Sequence, residues 1–317
     1  MSSRHLLDPA YVSLTDTTMP DLTEDSLHER RAMAAQLARE SATAGVHDAR
    51  AVQVVERLLS GSVDAPLVRV LIYTPAHAEA LLPVMIHLHG GGLVTGAPEN
   101  ADPRNRRLAN EAACIVVSVD YRLAPETSFA GAVEDSYAVL RWVHANGGSI
   151  GADASRLAVG GESAGGGLPP RSRDRNEIAL RFQMLTYPML DDRTGSGAEV
   201  SPYTGEFVWS RGSNRFGWRA ALGDSAGSDA LIADAATAPA RAESLSNLPA
   251  ACIVVGALDL FAAENLAYAS RLIDAGVPTE LHVYPGAPHG FDAIDDAAAS
   301  QACWQVTINA LKQALHD

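Results

Sequence analysis

Two Gly-x-Ser-x-Gly pentapeptides carry the residues of this chain best suited to nucleophilic chemistry. They are Gly161-Glu162-Ser163-Ala164-Gly165 and Gly223-Asp224-Ser225-Ala226-Gly227. Small residues on both sides of a serine let the backbone turn sharply out of a strand into a helix. The turn lifts the hydroxyl clear of the sheet and leaves a backbone N–H pointing at an incoming carbonyl. Such chemistry needs a strand just before the serine. Leu157-Ala158-Val159-Gly160 supplies one for Ser163. Ser225 instead follows Asn214–Leu222, which reads as a helix ending at Gly223, so it belongs to a helix-stop loop.

A serine hydroxyl is a weak nucleophile at neutral pH unless a neighbouring base takes its proton. Histidine supplies that base, and a carboxylate fixes its tautomer and stabilises the imidazolium. Asp259 stands just after the apolar run Cys252–Gly256, and His289 just after the run ending at Tyr284. Ligands of open α/β sheets bind beyond the carboxyl ends of the strands, so both fall where a site would form. The order Ser163, Asp259, His289 is the Ser–Asp–His order of the α/β-hydrolase arrangement.

A third motif, His89-Gly90-Gly91-Gly92, follows the apolar run Val84–Leu88. Glycines let the backbone approach a ligand closely and aim N–H groups at it. Such donors stabilise the oxyanion of a tetrahedral intermediate by roughly 3 kcal/mol each. A phosphate loop would need a lysine with a serine or threonine, or a wider glycine spacing, and neither is present. Three other histidines are set aside. His282 has apolar neighbours within a strand, His87 is predicted to face a helix layer, and His316 lies in a C-terminus expected to fray.

The elements that must position these residues alternate. Residues Thr23 to Ala44 have helical spacing, with Leu27, Ala34, Leu37 and Ala38 on one face. Strands are predicted at Val52–Leu58, Leu67–Tyr73, Val84–Leu88, Cys114–Val119, Leu157–Gly160, Phe182–Tyr187, Cys252–Gly256 and Thr279–Tyr284. Helices are predicted at Arg104–Ala112, Ala130–Asn146, Ala262–Asp274 and Ala297–Leu315. Continuous apolar strands alternating with helices indicate a mostly parallel central sheet with helices on both faces. Residues 191–249 break the rhythm with many glycines and no clear strand. That stretch is expected to be an insertion which, with helices in residues 1–50, forms a cap over the domain of residues 51–317.

Bulk composition narrows the partners. At 317 residues and 47% hydrophobic, the chain can bury a large core. Its net charge of −14, without a basic stripe, argues against nucleic acid and mildly against anionic substrates. Cys114, Cys252 and Cys303 are widely spaced and give neither a disulfide framework nor a metal motif; no cofactor is expected. Met1–Pro9 lacks the apolar stretch of a signal peptide, and no apolar run is long enough to span a bilayer. The expectation is a soluble cytoplasmic protein; a homodimer is left open.

Taken together, His89-Gly90-Gly91-Gly92, Asp120-Tyr121-Arg122-Leu123-Ala124-Pro125-Glu126, Gly161-Glu162-Ser163-Ala164-Gly165-Gly166 and His289-Gly290-Phe291 resemble the signatures of the bacterial hormone-sensitive-lipase-like esterases, a family of the α/β-hydrolase superfamily. The resemblance runs from about residue 50 to 315. It implies an α/β-hydrolase fold with a helical cap, Ser163 as nucleophile, His289 as base and Asp259 as its orienting acid. It also implies oxyanion N–H groups from Gly91, Gly92 and Ala164, and a bracing role for Tyr121–Glu126. Leu93 stands where the family often has a bulky aromatic, and Leu260-Phe261 follows Asp259 where proline is commoner.

The segment after Ser163 departs further. Family members continue there in a long alanine-rich helix, whereas here Leu168 meets Pro169-Pro170 and the polar run Arg171–Asn176. Proline inside a helix costs about 3 kcal/mol. A helix of less than two turns is therefore expected, followed by an exposed loop. The function expected is serine carboxylesterase action on small, short-chain neutral esters through an acyl-enzyme. Leu93, Phe207, Trp209 and Leu260 are the expected acyl-pocket contributors. The alternative is a catalytically impaired, hydrolase-like small-molecule binding protein.

Overall fold

Strands form where the sequence places its apolar runs, and the longest strand, of 11 residues, lies in the middle of the sheet. In order they are β1 (Val52–Leu59), β2 (Val68–Pro75), β3 (Leu82–Leu88), β4 (Ile115–Asp120), β5 (Ala152–Glu162), β6 (Phe182–Thr186), β7 (Ala250–Gly256) and β8 (Thr279–Tyr284). The computed structural model describes residues 2–15, 20–43, 51–60, 66–76, 80–168, 178–196, 201–228 and 238–317. The sheet order is β1-β2-β4-β3-β5-β6-β7-β8. The β1–β2 and β2–β4 pairs are antiparallel and the other five are parallel. Strand β5 begins five residues earlier than the run Leu157–Gly160, because Ala152 pairs with Leu82 across an irregularity in register.

Alternation along the parallel strands gives each face its own core. On one face Val84, Ile86 and Leu88 of β3 pack with Val139, Leu140 and Val143 of the helix Phe129–Asn146. On the other, Met85, Val116, Ala158 and Met184 meet Leu108 and Ala112 of the helix Asp102–Ala112, with Ile308 and Leu311 of the helix Ala298–His316. Near the β8 edge, Leu185 and Ile253 pack on Tyr268 and Leu272 of the helix Ala262–Asp274. Burial of both faces explains why these strands read as continuous apolar runs.

The N-terminal helix spans Glu24–Thr43. Leu27 and Ala38 are buried on its inner face, but Leu37 is 55% exposed and does not belong to that face. Its place is taken by Arg31, four residues after Leu27. Within residues 191–249 the described parts hold the helix Arg211–Leu222 and the short turn Pro239–Arg241, and no strand. This stretch and the N-terminus meet directly, since the Leu22 N–H donates to Ser213 Oγ at 3.0 Å. His316 is not frayed: the last helix runs to it, and its Nε2 lies 2.9 Å from the Ala112 carbonyl. Among the described residues, no helix is long and apolar enough to cross a membrane.

Candidate active site

Ser163 sits in the turn between β5 and a one-turn helix, Ala164–Gly167. Its backbone lies at φ 54, ψ −121, a conformation that side chains rarely adopt. Three backbone bonds hold it there. Its N–H donates to the Thr186 carbonyl at 2.9 Å, and its carbonyl accepts from Gly166 at 3.0 Å and Met189 at 2.9 Å. The flanking glycines are needed because strand β3 presses against the turn. A Cβ on Gly161 or on Gly165 would lie 1.9 Å from the Leu88 carbonyl oxygen. The helix after Ser163 is thus as short as the prolines predict. The expected loop with Arg171, Arg173 and Arg175 falls in residues 169–177, outside the described residues.

The structure brings the three predicted polar residues together. His289 Nε2 lies 3.0 Å from Ser163 Oγ, and its Nδ1 lies 2.7 Å from Asp259 Oδ2. All three are buried. Asp259 follows β7 in a turn, and its other oxygen accepts the Phe261 N–H at 2.9 Å, which fixes the carboxylate. The imidazole is held between two rings. Phe261 meets it edge-on at 5.3 Å, and Tyr187 lies tilted at 4.7 Å. A carboxylate on Nδ1 places the ring proton there and leaves the Nε2 lone pair facing the hydroxyl.

The glycine loop is bent by positive φ at Gly91 (126), Gly92 (62) and Leu93 (69). The Gly91 carbonyl accepts from Val94 N–H, Thr95 N–H and Thr95 Oγ1. Among the described residues no acceptor takes the N–H of Gly91, Gly92 or Ala164. His89 anchors the loop from below. Its Nδ1 is 2.8 Å from the Gly90 carbonyl, its ring stacks on Tyr121 at 4.3 Å, and its carbonyl accepts the Tyr121 hydroxyl at 2.7 Å. Burial pushes its pKa down to about 4, only partly opposed by the bond to Gly90. A neutral ring that donates from Nδ1 follows.

A buried polar network runs behind Ser163. Glu162 is bonded to His87 Nε2 at 2.9 Å and to Arg104 Nε at 2.6 Å. His87 in turn meets Ser118 Oγ at 3.0 Å. Arg104 also pairs with Asp292, and Asp292 accepts the Tyr187 hydroxyl at 2.6 Å. The network therefore ends on the ring that flanks His289. Burial alone would raise the Glu162 carboxyl. The Arg104 guanidinium and His87 outweigh it and hold the group down at about 2. Sequence reasoning set His87 aside as facing a helix layer and missed its partners Glu162, Arg104 and Asp292. The only signal was a charged residue, Glu162, inside an otherwise small pentapeptide.

The four residues expected to line an acyl pocket are scattered. Leu93 and Leu260 are buried, and Trp209 packs against the same core. Phe207 is buried on the other side of the sheet, in the core that holds Met85 and Met184. Trp209 covers the glycine loop, since a Cβ on Gly92 would lie 2.2 Å from its ring. A cavity of about 550 Å³ opens between the glycine loop and the segment after His289. His89, Gly91, Arg104, Tyr187, Asp292 and Trp304 are among its walls, and none of the four is. Ser225 lies in the loop after the helix Arg211–Leu222, where Gly223 takes φ 77 as a helix stop.

A serine raised on a strand-to-helix turn, with an aspartate and a histidine delivered by later strands of a mostly parallel sheet, defines a hydrolase of the α/β type. Comparison with known proteins agrees. A family model described as alpha/beta hydrolase fold matches residues 85–293. Esterase LipI of Mycobacterium tuberculosis is 36% identical over 250 residues, 74% of this chain and 75% of that protein. Carboxylesterase NlhH of the same species is 37% identical over 267 residues, covering 81% and 80%. Among solved structures, a bacterial heroin esterase superposes with a TM-score of 0.90 at 34% identity, covering 99% of each chain. The chain belongs to the hormone-sensitive-lipase-like esterases of the α/β-hydrolase superfamily.

Proposed function

We propose that the protein cleaves small, neutral, short-chain carboxylic esters through an acyl-enzyme on Ser163. It is a carboxylesterase by family. The observation that carries the mechanism is the continuous relay from Ser163 Oγ through His289 to Asp259, at 3.0 and 2.7 Å. Ser163 Oγ attacks the ester carbonyl as its proton passes to His289 Nε2. The carbonyl oxygen becomes an oxyanion, received by the N–H groups of Gly91, Gly92 and Ala164, which have no acceptor among the described residues. His289 then gives its proton to the departing alkoxide, which leaves as the alcohol. Water repeats the sequence on the acyl-enzyme and releases the acid. Asp259 stabilises the imidazolium in both halves without itself taking the proton.

Residues 1–50 and 191–249 act as a cap. The hydrogen bond between Leu22 and Ser213 and the packing of Trp209 on Gly92 support this. Leu93, Trp209 and Leu260, which share one core beside the glycine loop, bound the acyl side without Phe207, and a site with so few large apolar residues favours short chains. Three free, buried cysteines fit a reducing cytoplasmic compartment. The test is hydrolysis of p-nitrophenyl esters from acetate to palmitate, with stoichiometric fluorophosphonate labelling of Ser163. Fastest turnover of the long esters would overturn the chain-length claim. Failure to label would favour a binding protein, a reading the intact relay argues against.

A further inference from the structure

Register pairing assembles a second cluster at the far edge of the sheet. Strand β8 is the edge strand, and it pairs with β7 so that Cys252 faces Glu280 and Val254 faces His282. Glu280 and His282 are two residues apart and therefore share a face, the one that Cys252 occupies on β7. The Cys252 Sγ, a Glu280 carboxylate oxygen and a His282 ring nitrogen all lie within 4.8 Å of one another. Cys252 is fully buried, while the His282 and Glu280 side chains are 32% and 53% exposed. The cluster thus has a thiol floor and two movable arms open to solvent. At present the arms satisfy each other, with His282 Nε2 2.6 Å from Glu280 Oε1. Tyr284, the next residue on that face, keeps a buried hydroxyl without a partner among the described residues, and its ring stacks on His282 at 6.3 Å. Cys252 stands about 13 Å of strand before the carboxyl end of β7, so the cluster is separate from the Ser163 site.

We propose that Cys252, Glu280 and His282 form a binding site for a thiophilic divalent cation of the zinc type. A thiolate, an imidazole and a carboxylate are the donors that Zn²⁺ accepts in four-coordinate sites, whereas Mg²⁺ and Ca²⁺ require oxygen-only shells. Bonds of roughly 2.0–2.3 Å place tetrahedral donors about 3.5 Å apart. The two exposed arms reach that spacing by swinging roughly 1 Å toward the buried sulfur. On binding, the sulfur–metal bond forms and the thiol proton leaves to solvent. His282 donates its Nε2 lone pair and keeps its proton on Nδ1, Glu280 gives one oxygen, and water fills the fourth position. The ion would clip the edge strand to its neighbour. These are the two strands whose far ends lead to Asp259 and His289. No spacing motif reveals the site, because its ligands come from two strands that meet only through register.

The test uses the whole protein, freed of metal with a chelator and titrated with Cd²⁺, then with Zn²⁺ under thermal melting. The expected result is one equivalent per chain, a thiolate-to-cadmium charge-transfer band, and a melting temperature that rises with Zn²⁺ concentration as mass action requires. Cys252→Val should abolish the band. His282→Asn, a change at a half-exposed position, should weaken uptake roughly tenfold or more, since even outer partners of metal ligands cost that much. Absence of a saturable band in the unaltered protein would overturn the proposal. So would a band that survives Cys252→Val, or uptake by His282→Asn equal to that of the parent.

Discussion

Arg31 Nε donates to the Val94 carbonyl at 2.7 Å, joining the N-terminal helix to the loop that carries Gly91 and Gly92. The same guanidinium reaches the Ala124 carbonyl at 2.8 Å and takes Glu126 in a two-point ion pair. Leu93 and Ala124 are themselves joined by a backbone bond of 2.9 Å. One side chain thus ties together the helix, the glycine loop and the Tyr121–Glu126 segment. Arg31→Ala should lower stability by about 1.5–3 kcal/mol, the range for hydrogen bonds to a charged group. It should also lower kcat more than it raises KM, because the N–H groups proposed to receive the oxyanion lose their support. Arg31→Lys should recover only part, since an ammonium cannot reproduce the fork. Denaturant melts and ester kinetics on both variants check this, and an unchanged kcat in Arg31→Ala would remove the link to the loop.

Asp259→Asn should leave the fold intact and reduce kcat by roughly 10⁴-fold. The amide is nearly the size of the carboxylate, and the Phe261 N–H can still donate to its oxygen. What changes is the tautomer: an amide N–H facing Nδ1 forces the ring proton onto Nε2, where it confronts the serine. Steady-state kinetics with a circular dichroism control measure this. A loss smaller than tenfold would mean another group orients His289.

Most of this arrangement was legible in the sequence because each part is local. A glycine pair around Ser163, a strand before it and single polar residues after later strands need only a few neighbours to be recognised. Asp259 and His289 meet Ser163 because the strand order is fixed once β5, β6, β7 and β8 lie parallel. Arg31 was not legible, because an arginine on a helix face is ordinarily solvated; here it replaces Leu37, which points outward. Nor was the chain from Glu162 through Arg104 and Asp292 to Tyr187. Its members lie up to 188 residues apart and are brought together only by packing of the helices Asp102–Ala112 and Ala298–His316 on one face.

Gly165→Ala should be far more damaging than an ordinary glycine-to-alanine change. The new methyl would lie 1.9 Å from the Leu88 carbonyl oxygen, a backbone atom that cannot rotate away. Overpacking of this kind costs about 1–3 kcal/mol. A shift of about 1 Å at Ser163 would also reduce turnover on the order of 100-fold. Gly148→Ala is the control, since a Cβ there meets nothing within 4 Å. Thermal melts and turnover of the two variants decide the matter. Equal behaviour would show that β3 does not brace the turn.

Acid should destabilise the fold in two windows with different causes. His89 is buried with its pKa lowered to about 4, against about 6.5 when unfolded. The unfolded chain takes up the proton first, so this contribution to stability is present above about pH 6.5 and declines as the pH falls toward 4. Glu162 is depressed to about 2, against roughly 4.3 when unfolded. Its contribution is present above that unfolded value and is lost as the pH falls through about 2. Glu162→Gln removes the carboxylate, so the slope of stability against pH should flatten in the lower window and remain in the upper one. The variant should also be less stable at neutral pH by about 3 kcal/mol, because Arg104 loses a buried partner. Urea melts from about pH 3 to 7 on both proteins measure the slopes. A parent slope retained below pH 4.3 in Glu162→Gln would assign the acid sensitivity to another carboxylate.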